Sequence, residues 1–515
     1  MFIDARTLPN RTNLDADLAI IGAGPAGITL ARRFARGRVN VVIAEAGGLE
    51  YDADVQALYQ GENTGIGYQL NATRLRFFGG SSNHWGGYCR PLDSIDFEKR
   101  DWVPHSGWPF GLSELLPYYP EASEIVEIAP ANYDDVNYWR RKTGEQIPDL
   151  ASGRMRQQYV HFSPPTRFGA RYGDELKQAK NIRVLLNANV VDIQPGKNGR
   201  QAQRLSIRTL TGLNHTLKAK YFVVATGGLE NARMLLLSNS VVPAGLGNQN
   251  DLVGRFFMEH PHMQGFAEIV VADLGRVPRI FRERVPAETH SVQVAFNPSE
   301  SFLRRRRLLN ATLMAGVAGE YRSDADTPPA ESRKAAAHVD MLRAARRFLA
   351  DNTGTLDPAD TKLIGRWLGI GCACEQVPDP ESRVSLSSDQ RDSLGLPRIR
   401  LDWRLTEQDR RSIVEHMHSL ALEFGALGMG RMRLNVEDDG IWPAQVTGGS
   451  HHMGTTRMSD DPKQGVVDRN CRVHGMANLY VAGSSVFPTC GSANPTLTIV
   501  ALALRLADHL KAKLQ

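Results

Sequence analysis

The sequence predicts an α/β fold in at least two lobes, and three observations carry that expectation. A strand–glycine loop–helix–strand–acid unit spans Asp17–Glu45. A second strand–glycine–helix unit follows near Lys218–Ser238, and a strand–loop–helix closes the chain after Gly448. At 515 residues the chain exceeds one small module, since a domain takes roughly 100–200 residues.

The first unit is the most specific. Apolar Leu18–Ile21 runs into Gly22-Ala-Gly24-Pro25-Ala26-Gly27, a helical pattern follows, and the next apolar run, from Val41, closes on Glu45. This is a G-x-G-x-x-G fingerprint in its required Rossmann-like context. Gly22 permits the sharp turn, Gly24 lets backbone approach a pyrophosphate, and Gly27 lets the helix lie close to the sheet. The helix N-terminus favours phosphate charge. Glu45, about two dozen residues on, suits both hydroxyls of an adenosine ribose. The acid favours FAD or NAD over NADP, and this motif leaves FAD and NAD both open.

Composition excludes several classes. Hydrophobic residues are 42% and charged residues 23%, as in a folded enzyme. The formal net charge of +5 lacks the basic footprint of a nucleic-acid binder. Five cysteines make no disulfide scaffold and suit a reducing compartment. The first residues show no export signal, and the early apolar stretch Leu18–Leu30 is too short and glycine-rich to span a bilayer. These features predict a cytoplasmic protein with no membrane span.

Further along, Leu176–Ile193 reads as a helix end followed by strands. Lys218–Val224 reads as a strand entering Ala225-Thr-Gly-Gly228, with a helix after it. A second such unit so far down the chain implies one sheet assembled from distant segments. The arginines at 276, 279, 282, 284 and 304–307 read as the solvated face of an inserted subdomain, with an anionic docking surface as the alternative. Val339–Leu349 reads as an ordinary amphipathic surface helix. At the C-terminus, His451-His452 follows a glycine pair, Asn478–Val481 is a strand, and Asn494-Pro495-Thr496 opens a long helix with proline where the first turn tolerates it.

Together these pieces resemble the glucose–methanol–choline (GMC) oxidoreductases, in the branch of pyranose oxidase and related sugar and glycoside oxidoreductases. The resemblance rests on Asp17–Gly48, Phe77–Pro91, Phe222–Leu237, Gly254–His260, Glu375–Trp403 and Ser450 to the end. It implies a discontinuous FAD-binding domain (1–100, 175–260 and 445–515). It also implies an interleaved α+β substrate-binding domain on an antiparallel sheet (101–174 and 261–444). FAD would lie extended between the lobes. The residues implied to hold it are Gly22, Gly24, Pro25, Ala26, Gly27, Glu45 and Ala46 in the first loop, and Gly79, Gly80, Ser81, Asn83 and His84 in a second. Val191, Ala225, Gly483, Ser484, Asn494 and Thr496 complete the set. Val191 falls in the stretch Asn187–Val191, which resembles the strand that reads the adenine. His84 matches a position at which some pyranose oxidases bind flavin covalently; a histidine that packs beside the ring is the other reading, and noncovalent binding is the expectation. Many relatives carry an acid where this chain has Gly483, so backbone N–H groups must serve there; pyranose-type relatives share the glycine.

The resemblance makes His451 the general base and Asn494 its partner, with hydride passing to the flavin N5. A near-neutral base suits removal of a hydroxyl proton, and an amide can bind the substrate oxygen without competing for that proton. No metal is expected: adjacent histidines on a strand diverge, and Cys372-Ala-Cys374 adds no zinc spacing. The expected function is oxidation of a sugar, glycoside or polyol hydroxyl, with oxygen, a quinone or a redox partner as electron acceptor. The alternatives are an NAD-dependent dehydrogenase or a GMC-type enzyme for a non-sugar alcohol.

Overall fold

The computed structural model describes residues 1–263, 267–271, 274–317, 367–434, 442 and 446–514. Its first sheet is ordered Phe2–Asp4, Ile182–Leu186, Val41–Ala44, Asn13–Ile21, Asn214–Val224, Ala202–Arg208, Asn189–Pro195. The pairings are parallel from Phe2–Asp4 through Asn214–Val224 and antiparallel beyond it. Leu479–Val481 adds in parallel to the end of Asn214–Val224. Leu18–Ile21 and Val41–Ala44 are buried throughout, as a parallel sheet covered on both faces requires. The helices Pro25–Arg32 and Thr496–Leu514 pack against each other. Four strands that lie far apart in the sequence thus end side by side, at Ile21, Ala44, Val224 and Val481. In such sheets ligands bind beyond those carboxyl ends.

A second, ten-stranded sheet is antiparallel. Its path runs Arg431–Leu434, Ala267–Val270, Trp367–Cys374, Ala311–Val317, Ser291–Pro298, Met155–Phe162, Tyr88–Cys89. Pro261–Met263 pairs with Trp367–Cys374 on one side and Thr447–Gly448 on the other. A small third sheet joins Arg383–Arg391, Pro397–Asp402 and Gly61–Asn63. The twenty-residue helix Glu407–Ala426 opens on a Thr406/Asp409 capping box. The mixed α/β architecture agrees with the fold class the sequence predicts.

Several boundaries differ from the sequence reading. The strand expected from Lys218 begins at Asn214. The strand expected over Asn187–Val191 begins at Asn189, because Asn187 turns with φ +56°. The expected helix at Val339–Leu349 lies outside the described residues. The arginine-rich stretch is largely neutralised locally: Arg279 pairs with Glu283, Arg304 with Glu98 and Glu300, Arg306 with Glu415, and Arg307 with Asp101. Arg284 lies over the Phe162 ring. No helix among the described residues is long and apolar enough to cross a membrane.

Candidate active site

One cavity of about 490 Å³ begins where the parallel strands end and reaches the C-terminal histidines. At its first end, Gly22 has φ +99° and no room for a side chain, since a Cβ would sit 2.6 Å from the Ala225 carbonyl oxygen. A Cβ on Gly27 would collide with the Gly22 carbonyl. Gly24 is the contrast: nothing lies within 4 Å of its Cβ position, and it caps a helix that starts on Pro25. The loop therefore presents open space and unpaired helix N–H groups together. Beside it, the buried Glu45 accepts from Ala23 N–H (2.8 Å) and Gly47 N–H (2.9 Å), one bond to each oxygen. Each oxygen keeps a lone pair for a further donor. Burial raises the Glu45 pKa; the Gly47 and Ala23 N–H groups and the Arg76 charge offset part of that rise.

The second loop forms a 3-10 turn over Gly80–Asn83, packed so that Gly80 approaches Gly24. Gly80, Ser81 and His84 line the cavity, and burial lowers the His84 pKa, with Arg167 adding to the effect. Arg74 and Arg76 also line it, both paired with the buried Glu230. Arg76 Nε is buried with no partner. Asn231 ties the opposite wall: it accepts from Thr226 N–H (2.7 Å) and donates to the Ala482 carbonyl (3.0 Å) and Ser485 Oγ (2.8 Å). This clamps the Ala225–Gly228 and Ala482–Ser485 loops together. Of the residues expected to hold the cofactor, Gly27, Gly79, Asn83 and Val191 do not line the cavity. Gly27 and Gly79 sit against backbone or side chain, and Asn83 donates to the Phe78 carbonyl. Val190 faces the cavity in place of Val191, which falls at the register shift between Val190 and Asp192.

The far end holds a histidine cluster. His451 Nε2 lies 3.0 Å from Asn494 Nδ2, and both residues line the cavity. His451 Nδ1 lies 3.0 Å from His260 Nδ1. The His262 ring centre is 5.7 Å from that of His451. Beneath them the buried Glu259 carboxylate takes four hydrogen bonds, from Tyr68 O–H and from the backbone N–H groups of Gly449 (3.0 Å), His451 (2.9 Å) and His260 (3.0 Å). Burial still pushes Glu259 up to about 7. His452 Nε2 lies 2.8 Å from Tyr68 Oη and 3.9 Å from Glu259 Oε1. The segment is no longer a strand at this point, since pairing ends at Gly448 and Ser450 has φ +61°. Burial lowers every histidine here: His260 and His262 to about 4, His452 to about 3, and His451 well below its ordinary value. For His451 the nearby His260, His262 and His452 add to that effect. Among the described residues no group of three or more His, Cys, Asp or Glu side chains is arranged to hold a metal.

Residues 378–503 match the family described as GMC oxidoreductase, through its C-terminal domain. The chain thus carries a GMC oxidoreductase C-terminal domain. It is 25% identical to 2-methyl-1,2-propanediol dehydrogenase of Mycolicibacterium austroafricanum, over 96% of this chain and 95% of that one. It is also 25% identical to a C-glycoside 3-oxidase of Microbacterium trichothecenolyticum, over 96% of both chains. The crystal structure of a formate oxidase superposes with a TM-score of 0.57 at 18% identity, covering 98% of this chain and 99% of that one. The protein is an FAD-dependent oxidoreductase. The cavity fits that cofactor. It offers an open helix N-terminus at Gly24 for phosphate, lone pairs on Glu45 for ribose hydroxyls, and, on the lining residue Arg76, a buried Nε without a partner.

Sequence reasoning missed Glu259, His260, His262 and Tyr68 as members of this site. A signal was present: Met258-Glu-His-Pro-His262 places an acid and two histidines within one short segment.

Proposed function

We propose that this GMC oxidoreductase oxidises a hydroxyl of a sugar, glycoside or related polyol to the carbonyl, with His451 as general base and Asn494 holding the substrate oxygen. The observation that carries the reading is the 3.0 Å approach of Asn494 Nδ2 to His451 Nε2 at the cavity wall. FAD, when bound, supplies the hydride acceptor. His451 takes the hydroxyl proton at Nε2, so that the substrate O–H bond breaks as an N–H bond forms. Asn494 donates its amide N–H to the same oxygen. Burial keeps His451 neutral at physiological pH and so ready to accept.

The sugar class is supported by the relative named C-glycoside 3-oxidase. The relative named for 2-methyl-1,2-propanediol favours a second reading, a small aliphatic diol. We read residues 1–100, 175–260 and 445–515 as the FAD-binding domain and 101–174 with 261–444 as the substrate domain. Supporting this, every strand of the first sheet falls in the former set. Gly22, Gly24–Gly27, Glu45–Ala46, Gly79–Ser81, Asn83–His84, Val191, Ala225, Gly483–Ser484, Asn494 and Thr496 are read as the residues holding FAD, those off the cavity acting through packing or backbone. The five buried, free cysteines support action in a reducing, cytoplasmic setting.

Anaerobic mixing of the purified holoenzyme with sugars, glycosides and 2-methyl-1,2-propanediol tests the reading through loss of flavin colour. His451→Ala should slow that step by roughly 10²–10⁴-fold, Asn494→Ala by less, and His452→Ala least. Full-rate bleaching in His451→Ala removes it as the base, and bleaching by the diol alone moves the substrate to the second reading. Re-oxidation with oxygen and with a quinone in parallel identifies the acceptor.

A further inference from the structure

We propose that His260 is a positioning residue for the base: through one Nδ1-to-Nδ1 hydrogen bond it fixes His451 in the tautomer whose Nε2 carries a lone pair and faces Asn494. The inference rests on the reading of His451 as base and adds what makes that nitrogen available.

The two Nδ1 atoms are 3.0 Å apart and share one hydrogen. The contact alone does not say which ring owns it; the outer ends of the chain of contacts do. His260 Nε2 lies 3.4 Å from the Cys490 carbonyl oxygen, and a carbonyl only accepts, so Nε2 of His260 carries a hydrogen. Burial lowers the His260 pKa to about 4, so near neutral pH the ring has a single N–H and its Nδ1 is bare. The shared hydrogen therefore sits on His451 Nδ1, and His451 Nε2 is left with a lone pair. The other end agrees independently, because the Asn494 atom 3.0 Å from Nε2 is the amide nitrogen, a donor. The hydrogen bonds run one way: Asn494 to His451, His451 to His260, His260 to Cys490.

Glu259 keeps this line in register. His451 N–H donates to Oε1 and His260 N–H to Oε2, so one carboxylate ties two histidines 191 residues apart in the chain. Without an acceptor at His260, only the Asn494 amide favours the hydrogen on Nδ1 of His451, and that amide can rotate to offer its oxygen to an N–H at Nε2 instead. The other tautomer presents an N–H to the substrate hydroxyl, which cannot take its proton. In triad enzymes a wrong imidazole tautomer costs roughly 10⁴-fold in rate while binding survives.

The test compares His260→Leu with His260→Asn. The Asn side-chain oxygen reaches the place of Nδ1 and accepts the same hydrogen; Leu cannot. Nitrogen-15 NMR of histidine-labelled protein, with the His451 signals assigned by their loss in His451→Ala, reads the tautomer without turnover. Wild type and His260→Asn should carry the hydrogen on Nδ1 of His451, and His260→Leu on Nε2. In anaerobic flavin bleaching His260→Leu should fall by roughly 10²–10⁴-fold at unchanged half-saturating substrate, with His260→Asn recovering most of the rate. A wild-type His451 protonated on Nε2 overturns the proposal outright, even if His260→Leu fails to fold. So does a His260→Leu protein that keeps the wild-type tautomer and rate, or a His260→Asn protein as slow as His260→Leu. Failure of the base reading itself would show differently, as normal bleaching in His451→Ala.

Discussion

Replacing Gly449 with alanine puts the histidine cluster under a defined mechanical stress. Gly449 does not need a left-handed backbone, so alanine can adopt its conformation. The added Cβ would stand 2.6 Å from His262 Nε2 and 2.7 Å from His451 Nδ1, where ordinary contact begins at 3.4 Å. The His451 ring must therefore yield by about 0.7 Å, the shortfall between contact and clash. Its two hydrogen bonds, to His260 and Asn494, are each 3.0 Å long, and a shift of that size takes at least one of them out of hydrogen-bond range. Overpacking of this kind costs about 1–3 kcal/mol, which a chain of this size tolerates, so the variant should fold. Flavin content should be normal, since the stress falls at the opposite end of the cavity from Gly22–Ala26 and Glu45. The rate of flavin bleaching by substrate under anaerobic stopped-flow should drop by roughly 10²-fold, the usual cost of a 1 Å misplacement. A folded, yellow Gly449→Ala protein bleaching at the wild-type rate would refute the idea that this ring's position governs the reaction.

Two further outcomes follow from other parts of the molecule. Gly24→Ala meets no atom within 4 Å, so its thermal stability should hold or rise by about 0.4–1 kcal/mol. Its flavin should be lost on dialysis, because the methyl fills the space facing the phosphates; full retention would count against that placement. Stability should also fall with acid. His161, His260, His262, His416, His451 and His452 are held below their ordinary value by burial, so the unfolded chain takes up these protons first. Asp96, Glu259 and Asp409, pushed up to about 7, work in the opposite sense, the native state holding their protons first. The lowered histidines outnumber the raised acids, so unfolding takes up protons and stability falls as the pH drops below the ordinary histidine value of about 6.5. Denaturant midpoints at and below that pH measure it, and a flat or rising profile would be the contrary result.

What was legible in the sequence is what chemistry confines to consecutive residues. The turn at Gly22, the space at Gly24 and the close packing at Gly27 belong to one loop, and the acid at Glu45 ends the next strand, so local pattern suffices to recognise them. The pairing of His451 with Asn494 was reachable because the C-terminal segment resembles a known family, not because spacing alone brings residue 451 to residue 494. Val191 shows the limit within a strand. It was reached through resemblance to the strand whose backbone reads the adenine, and the side chain on the cavity is that of Val190, beside the register shift between Val190 and Asp192.

The histidine cluster escaped notice for a different physical reason. His260 and His262 reach His451 because Pro261 pairs with Gly448 and His262 with Thr447, a non-local strand pairing that no short window of sequence contains. Glu259 then makes the pairing chemically specific, since its four acceptor bonds all come from Tyr68 and from the backbone of these two segments. A carboxylate so placed cannot be replaced by an amide of the same shape. The amide's NH₂ would face two N–H or O–H donors that now lack an acceptor, and each buried donor left unpaired costs about 1–3 kcal/mol. The same acid that looks like one more charge in a mixed segment is thus the group on which the geometry of both histidines depends. Its importance lies in where its four donors come from, which only the fold displays.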